Sequence, residues 1–328
     1  MLLAAAAALL PCDKAQARDL TKRRPYPVPP PAQPIESKKV RLDLCYSGSG
    51  HHGSTVTKLI VEIPQTIQGR QKILNIDYSI KPERVFRENG TAYAEFMFEK
   101  PKSHLALTIS IEAQLYRYDL SVARQKAGRN TDKPTDLDDF LKQETGIEKD
   151  DPRIQQVART LKGKTETETV RKIFDYVTDT MEYSIDSNNT GALLSLAKKK
   201  GDCSEYSDLF VALCRAANIP ARFITGYSER YDGISPKHHW VEVYFQDYGW
   251  VPFDPSWGDV ENPAAKNLVF ERLQPIYLYL GHLRNDPVLY NSHFYAYLFY
   301  GQKVDIEDSV LFTKTAASSY PGNLSAGR

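Results

Sequence analysis

The feature that most constrains this chain is a change of hydrophobic period near residue 130. Before it, apolar and polar residues alternate. Val40-Arg41-Leu42-Asp43-Leu44, Thr57 to Ile63, Ile73 to Ile80, Thr91 to Glu99 and Leu105 to Tyr116 each put one side of every second residue on a common face. Pro64 ends one such run, and Glu88-Asn89-Gly90 supplies a turn between others. Several alternating runs at this spacing predict a small antiparallel β-sandwich. After residue 130 the period becomes helical. Asp150-Asp151-Pro152 has the composition of a helix start, and Val170, Phe174 and Val177 form one stripe of a helix from about Thr167 to Met181. A short helix from Ala192 to Lys199 follows, then a longer one, then strands at about 221–227, 238–245 and 250–254 and Tyr-rich alternating runs at Ile276–Leu280 and His293–Tyr300. The expected class is α+β: a sandwich at 38–128 and a second domain at 129–313 with helices packed on an antiparallel sheet.

The ends read differently. Leu2 to Leu10 followed by Ala15-Gln16-Ala17 resembles a processed export leader over 1–17, which predicts a periplasmic or extracellular protein. Lipidation at Cys12 is the lesser alternative, because Leu9-Leu10-Pro11 is a poor context for it. Pro25, Pro27, Pro29, Pro30, Pro31 and Pro34 make 18–37 an extended linker, and 314–328 reads as a disordered tail. Formal net charge is +1 over 328 residues, so no basic excess supports nucleic-acid binding, and no run after the leader is long and apolar enough to span a bilayer. His51-His52 lacks a third ligand, and neither a metal nor a cofactor is expected.

Three cysteines remain after the leader: Cys45, Cys203 and Cys214. The last two lie on one predicted helix about 16 Å apart, too far for a disulfide, whose α-carbons sit roughly 4.4–6.8 Å apart. A Cys45–Cys214 bridge is left open. Gly201-Asp202-Cys203-Ser204-Glu205 opens the helix carrying Tyr206, Leu209, Phe210, Leu213, Cys214 and Ala217 at helical spacing. Asp202 and Glu205 have capping-box spacing, and Asn218 before Ile219-Pro220 suits a left-handed helix end. Cys203 therefore falls in the first turn, where amides and the helix dipole favour a thiolate. Cys214 falls on the apolar stripe and reads as a core residue.

Lys237 to Phe245 alternates, Gln246-Asp247-Tyr248-Gly249 turns, and Trp250 to Asp254 returns. A thiolate needs an imidazole to hold its proton and a carboxylate to fix that imidazole. Hairpin register decides which histidine faces Asp254: Phe245 opposite Gly249 selects His238, and Phe245 opposite Trp250 selects His239. Spacing alone leaves both open.

Five blocks occur in order: Gly201-Asp202-Cys203-Ser204, Ile219-Pro220-Ala221-Arg222, Gly226-Tyr227, His238-x-Trp240-Val241-Glu242-Val243-Tyr244 and Gly249-Trp250-Val251-Pro252-Phe253-Asp254-Pro255. Together they resemble the core of the bacterial transglutaminase-like superfamily. The resemblance implies a papain-like α+β core with Cys203, His238 and Asp254 as a catalytic triad, preceded by a β-rich domain. It implies acyl transfer through a thioester on Cys203, to water or to an amine, with a protein, peptide or peptidoglycan-peptide substrate. The competing expectation is a non-catalytic module that binds peptide or cell-wall material on the same fold. Crosslinking transglutaminases carry a tryptophan upstream of the cysteine; here Trp240, Trp250 and Trp257 all follow it.

Overall fold

The structure is a computed structural model that describes residues 37–50, 56–99, 104–125, 134, 136–185, 191–229, 235–300 and 304–313. The leader, most of the proline-rich linker, His51-His52 and the tail lie outside the described residues.

Six strands open the chain: β1 (Ser37–Gly50), β2 (Val56–Ile63), β3 (Gln71–Tyr78), β4 (Arg84–Glu88), β5 (Thr91–Glu99) and β6 (His104–Tyr116). The short strand β4 carries no clear alternation and is not evident in the sequence. A short helix, α1 (Leu120–Gln125), and one turn of 3-10 helix (Leu137–Leu141) lead into α2 (Pro152–Thr160), α3 (Glu166–Thr180), α4 (Gly191–Lys198) and α5 (Cys203–Ala216). Strands β7 (Ala221–Ser228), β8 (Lys237–Phe245) and β9 (Gly249–Phe253) follow, then α6 (Pro263–Glu271) and β10 (Tyr277–Gly281), and finally β11 (Tyr295–Tyr300) and β12 (Val304–Thr313).

Helix boundaries follow local chemistry. The Asp151 carboxylate accepts the Arg153 amide with Pro152 at the first position of α2, and Thr165 caps α3 through the Glu168 amide. Asn218 takes φ 61° just past α5, the left-handed conformation that asparagine tolerates.

Strands β9, β8, β7 and β10 form, in that order, one antiparallel sheet. One face of it, with Ala221, Val241, Val243, Phe245, Val251 and Phe253, shares a buried core with α5 and the helices around it. The opposite face buries Ile224 and Trp240 against Leu273, Tyr277 and Tyr279. Gly226 is required there: a β-carbon would stand 2.2 Å from the Leu278 carbonyl oxygen and 2.5 Å from the Trp240 ring.

Two further four-stranded sheets, ordered β12-β1-β6-β3 and β11-β2-β5-β4, enclose a second core of Leu42, Leu44, Leu59, Val61, Phe96, Ile109 and Ile111. The strands expected to form an N-terminal sandwich at 38–128 lie in these two sheets together with β11 and β12 from far along the chain. The expected assignment of 129–313 to one contiguous unit does not match the pairing, because β11 pairs with β2 and β12 with β1. Alternation identifies a strand without naming its sheet, so the sequence could not show this return. Leu278 and Leu280 of β10 also enter the sandwich core, which joins the two parts directly.

Helix α5 is the second departure. Its apolar stripe is buried as expected, yet every residue from Cys203 to Arg215 is buried. The polar side is covered by a charge network: Arg284 holds Asp208 through two hydrogen bonds of 2.6 and 3.0 Å, and Arg215 reaches Glu144, the Lys142 carbonyl and the Ala221 carbonyl. Cys45 is half-buried with the Thr108 hydroxyl 3.9 Å from its sulfur, Cys214 is buried on α5, and no disulfide joins them among the described residues.

Candidate active site

The first turn of α5 is built as its spacing predicts. The Asp202 carboxylate accepts the Ser204 amide at 2.7 Å, and Glu205 reaches back to the Asp202 amide at 2.9 Å, completing a capping box. Gly201 makes room for this: a β-carbon there would meet the Glu205 side chain at 2.4 Å. Cys203 occupies the first helical position and is almost fully buried.

The hairpin register is Phe245 opposite Gly249 and Val241 opposite Phe253. Asp254 therefore continues onto the face of His238, and His238 Nε2 lies 2.6 Å from Asp254 Oδ2 with both side chains buried. A carboxylate oxygen only accepts, so this contact places the ring proton on Nε2 and the lone pair on Nδ1. Nδ1 is buried and has no hydrogen-bond partner among the described residues.

Asp254 is seated by four donors. Oδ2 also accepts from the Tyr277 hydroxyl at 2.8 Å, and Oδ1 accepts from the Ser256 hydroxyl at 2.8 Å and the Trp257 amide at 3.1 Å. Burial alone would raise this carboxyl, but the field of His238 and the hydrogen bonds from His238, Ser256 and Tyr277 outweigh it and hold Asp254 below the ordinary carboxylate value.

His239 points to the α5 face. Its Nδ1 lies 2.9 Å from Ser204 Oγ and 3.9 Å from Cys203 Sγ. Its ring packs on Phe223, His293 and Phe294. Burial, joined by the fields of His293, His238, Arg284 and Lys237, holds its pKa well below the histidine norm, so it is neutral at physiological pH. The two neighbouring histidines thus sit in opposite electrostatic settings: His238 faces a carboxylate, and His239 faces cations and rings.

The sequence did not reveal Tyr277, which sits in a Tyr-rich alternating run that reads as packing. Ser256 and Trp257 had a local signal: donors two and three residues after an aspartate are the signature of an Asx-type turn. Among the described residues no group of three or more histidine, cysteine or acidic side chains is arranged to hold a metal ion. No helix of the described residues is long and apolar enough to cross a membrane.

Residues 155–255 match the transglutaminase-like superfamily core. The chain is 42% identical over 79 residues to the uncharacterized protein YebA of Bacillus subtilis, covering 20% of this chain and 11% of that protein. It is 33% identical over 69 residues to a peptide-N(4)-(N-acetyl-beta-glucosaminyl)asparagine amidase of Drosophila melanogaster, covering 21% of this chain and 10% of that one. The chain thus spans about a tenth of the length of each of these relatives. Its fold resembles a candidate cysteine protease from Cytophaga hutchinsonii with TM-score 0.56 at 20% identity, over 85% of this chain and 94% of the other. Within its α+β architecture, the chain therefore carries a core of the transglutaminase-like superfamily at residues 155–255.

Proposed function

We propose that this protein is an exported acyl-transfer enzyme in which Cys203 is the nucleophile, His238 the base and Asp254 the residue that orients it. The observation that carries this reading is the buried His238–Asp254 contact of 2.6 Å, formed on strands whose opposite face packs against α5, the helix that begins at Cys203. His238 Nδ1 takes the thiol proton, and the sulfur attacks an amide carbonyl. The resulting oxyanion is met by the Cys203 backbone amide at the α5 N-terminus. Collapse breaks the C–N bond, and His238 gives its proton to the leaving amine. Water or a second amine then attacks the thioester while His238 accepts its proton, the C–S bond breaks, and His238 returns the proton to the Cys203 sulfur. Hydrolysis is the preferred outcome, because no second amine site stands out among the described residues. A peptide, protein side chain or peptidoglycan peptide fits the chemistry. The leader-like sequence at 1–17 supports export.

The 3.9 Å contact between His239 and Cys203 favours a second reading in which His239 is the base. The electrostatics argue against it. A base in this chemistry must be stabilised as imidazolium, and His239 has cationic neighbours and its Nδ1 already paired with the Ser204 hydroxyl. Thiol alkylation at neutral pH with peptide mapping decides between them. His238→Ala is expected to slow Cys203 labelling at least tenfold, and His239→Ala is expected to slow it less. The reverse order would reassign the base. A wild-type Cys203 that reacts no faster than a model thiol would support the non-catalytic binding module instead.

A further inference from the structure

The Tyr277 hydroxyl meets the same carboxylate oxygen that receives His238, at 2.8 Å and 2.6 Å respectively. It reaches that oxygen from β10, two strands away from β8 across β7, and not from the hairpin that carries the histidine and the aspartate. Its ring is buried between His238, Trp240 and Trp257, with centroid separations of 6.0, 5.1 and 6.0 Å. Ser256 and Trp257 fix Oδ1 from the local turn, so among the described residues Tyr277 is the one donor from outside the hairpin that orients Oδ2.

We infer that Tyr277 is a positioning residue of the proposed catalytic site, one that aims Asp254 at His238 Nε2 and limits how strongly the carboxylate draws on the imidazole proton. The inference rests on the triad reading given above. Oδ2 accepts two donors, and its electron density is divided between them. With the hydroxyl present, Asp254 fixes the histidine tautomer without over-stabilising the imidazolium. Without it, the carboxylate becomes a stronger acceptor for His238 alone, and its plane is free to turn away from Nε2. Among the described residues the titratable side chains that hydrogen-bond Asp254 are His238 on β8 and Tyr277 on β10; His239 is paired with Ser204 on the other face of β8.

Tyr277→Phe keeps the ring and its packing and removes only the hydroxyl. A hydrogen bond to a charged group is worth about 1.5–3 kcal/mol, which corresponds to roughly one to two pH units or a ten- to hundredfold rate change. The test is the pH–rate profile of Cys203 alkylation in the full chain for wild type, Tyr277→Phe, Asp254→Asn and Ser256→Ala, with circular dichroism to confirm folding. The expected result for Tyr277→Phe is a plateau rate at least threefold lower and an apparent thiol–imidazole pKa moved upward by about one unit at its histidine limb. A purely structural role would lower the thermal midpoint and leave the profile where it was. If Asp254→Asn changes the profile and Tyr277→Phe does not, the Tyr277 inference fails and the triad reading stands. If Asp254→Asn has no effect either, the triad reading fails as well. Should Tyr277→Phe not fold, Tyr277→Trp supplies a ring with a different donor, and an unchanged profile in that variant overturns the inference.

Discussion

Two adjacent histidines with opposite surroundings show how far the neighbours of a side chain decide what it can do. His238 is held to Asp254, and His239 is buried among Phe223, His293 and Phe294. A folded state that refuses a proton which the unfolded chain accepts loses stability as pH falls below the unfolded value. His239 is held well below its norm of 6.5, and His282 and His293 are lowered to about 4, in each case mainly by burial. Stability therefore falls as pH drops from 6.5 toward 4. His239→Asn keeps a hydrogen-bonding partner for the Ser204 hydroxyl and removes one of these groups. Urea midpoints between pH 4.5 and 7.5 are expected to decline less steeply in that variant than in wild type. The identity of the His238 partner was only half legible in the sequence. The pattern supplied two candidate faces, and the choice between them depended on a loop register that alternation does not encode.

At the scale of elements, α5 shows what periodicity can and cannot report. The capping box, the left-handed Asn218 and the apolar stripe were all readable, because each depends on residues within one turn of each other. The burial of the polar side was not, because it depends on Arg284, which arrives from beyond β10. Asp208 is fully buried, and burial pushes its carboxyl up to about 7 against the pull of Arg284. Arg284→Ala would leave that carboxyl without its guanidinium, and breaking a buried pair in this way typically costs about 3–5 kcal/mol. The expected outcome is a large fall in the urea midpoint, with partial recovery in the double variant Asp208→Asn/Arg284→Ala. No recovery would show that Arg284 acts through its packing on Phe223 instead.

At the scale of the whole molecule, the junction between the sandwich and the core carries its own titration. Glu62 on β2 is buried and accepts the Phe294 amide; burial and the field of Asp286 raise its pKa to about 8. Here the folded state keeps a proton that the unfolded chain releases near 4.5, so stability declines as pH rises from about 4.5 to about 8. Glu62→Gln is expected to flatten that decline, raising the thermal midpoint at pH 8.5 more than at pH 5. An equal change at both values would refute it. Both layers of this architecture were visible as patterns in the sequence. Their connection was not, since a strand's partners lie in tertiary pairing.

The return of β11 and β12 also sets an order of assembly. Arg41 pairs with Thr313 and Val61 with Tyr295, so the sheets begun by the first strands are completed by the last. During synthesis the opening strands must wait, with unsatisfied edges, until β11 and β12 have emerged. Pairings this distant in sequence close slowly. A chain built this way is most vulnerable before β11 and β12 are available to cover those early edges.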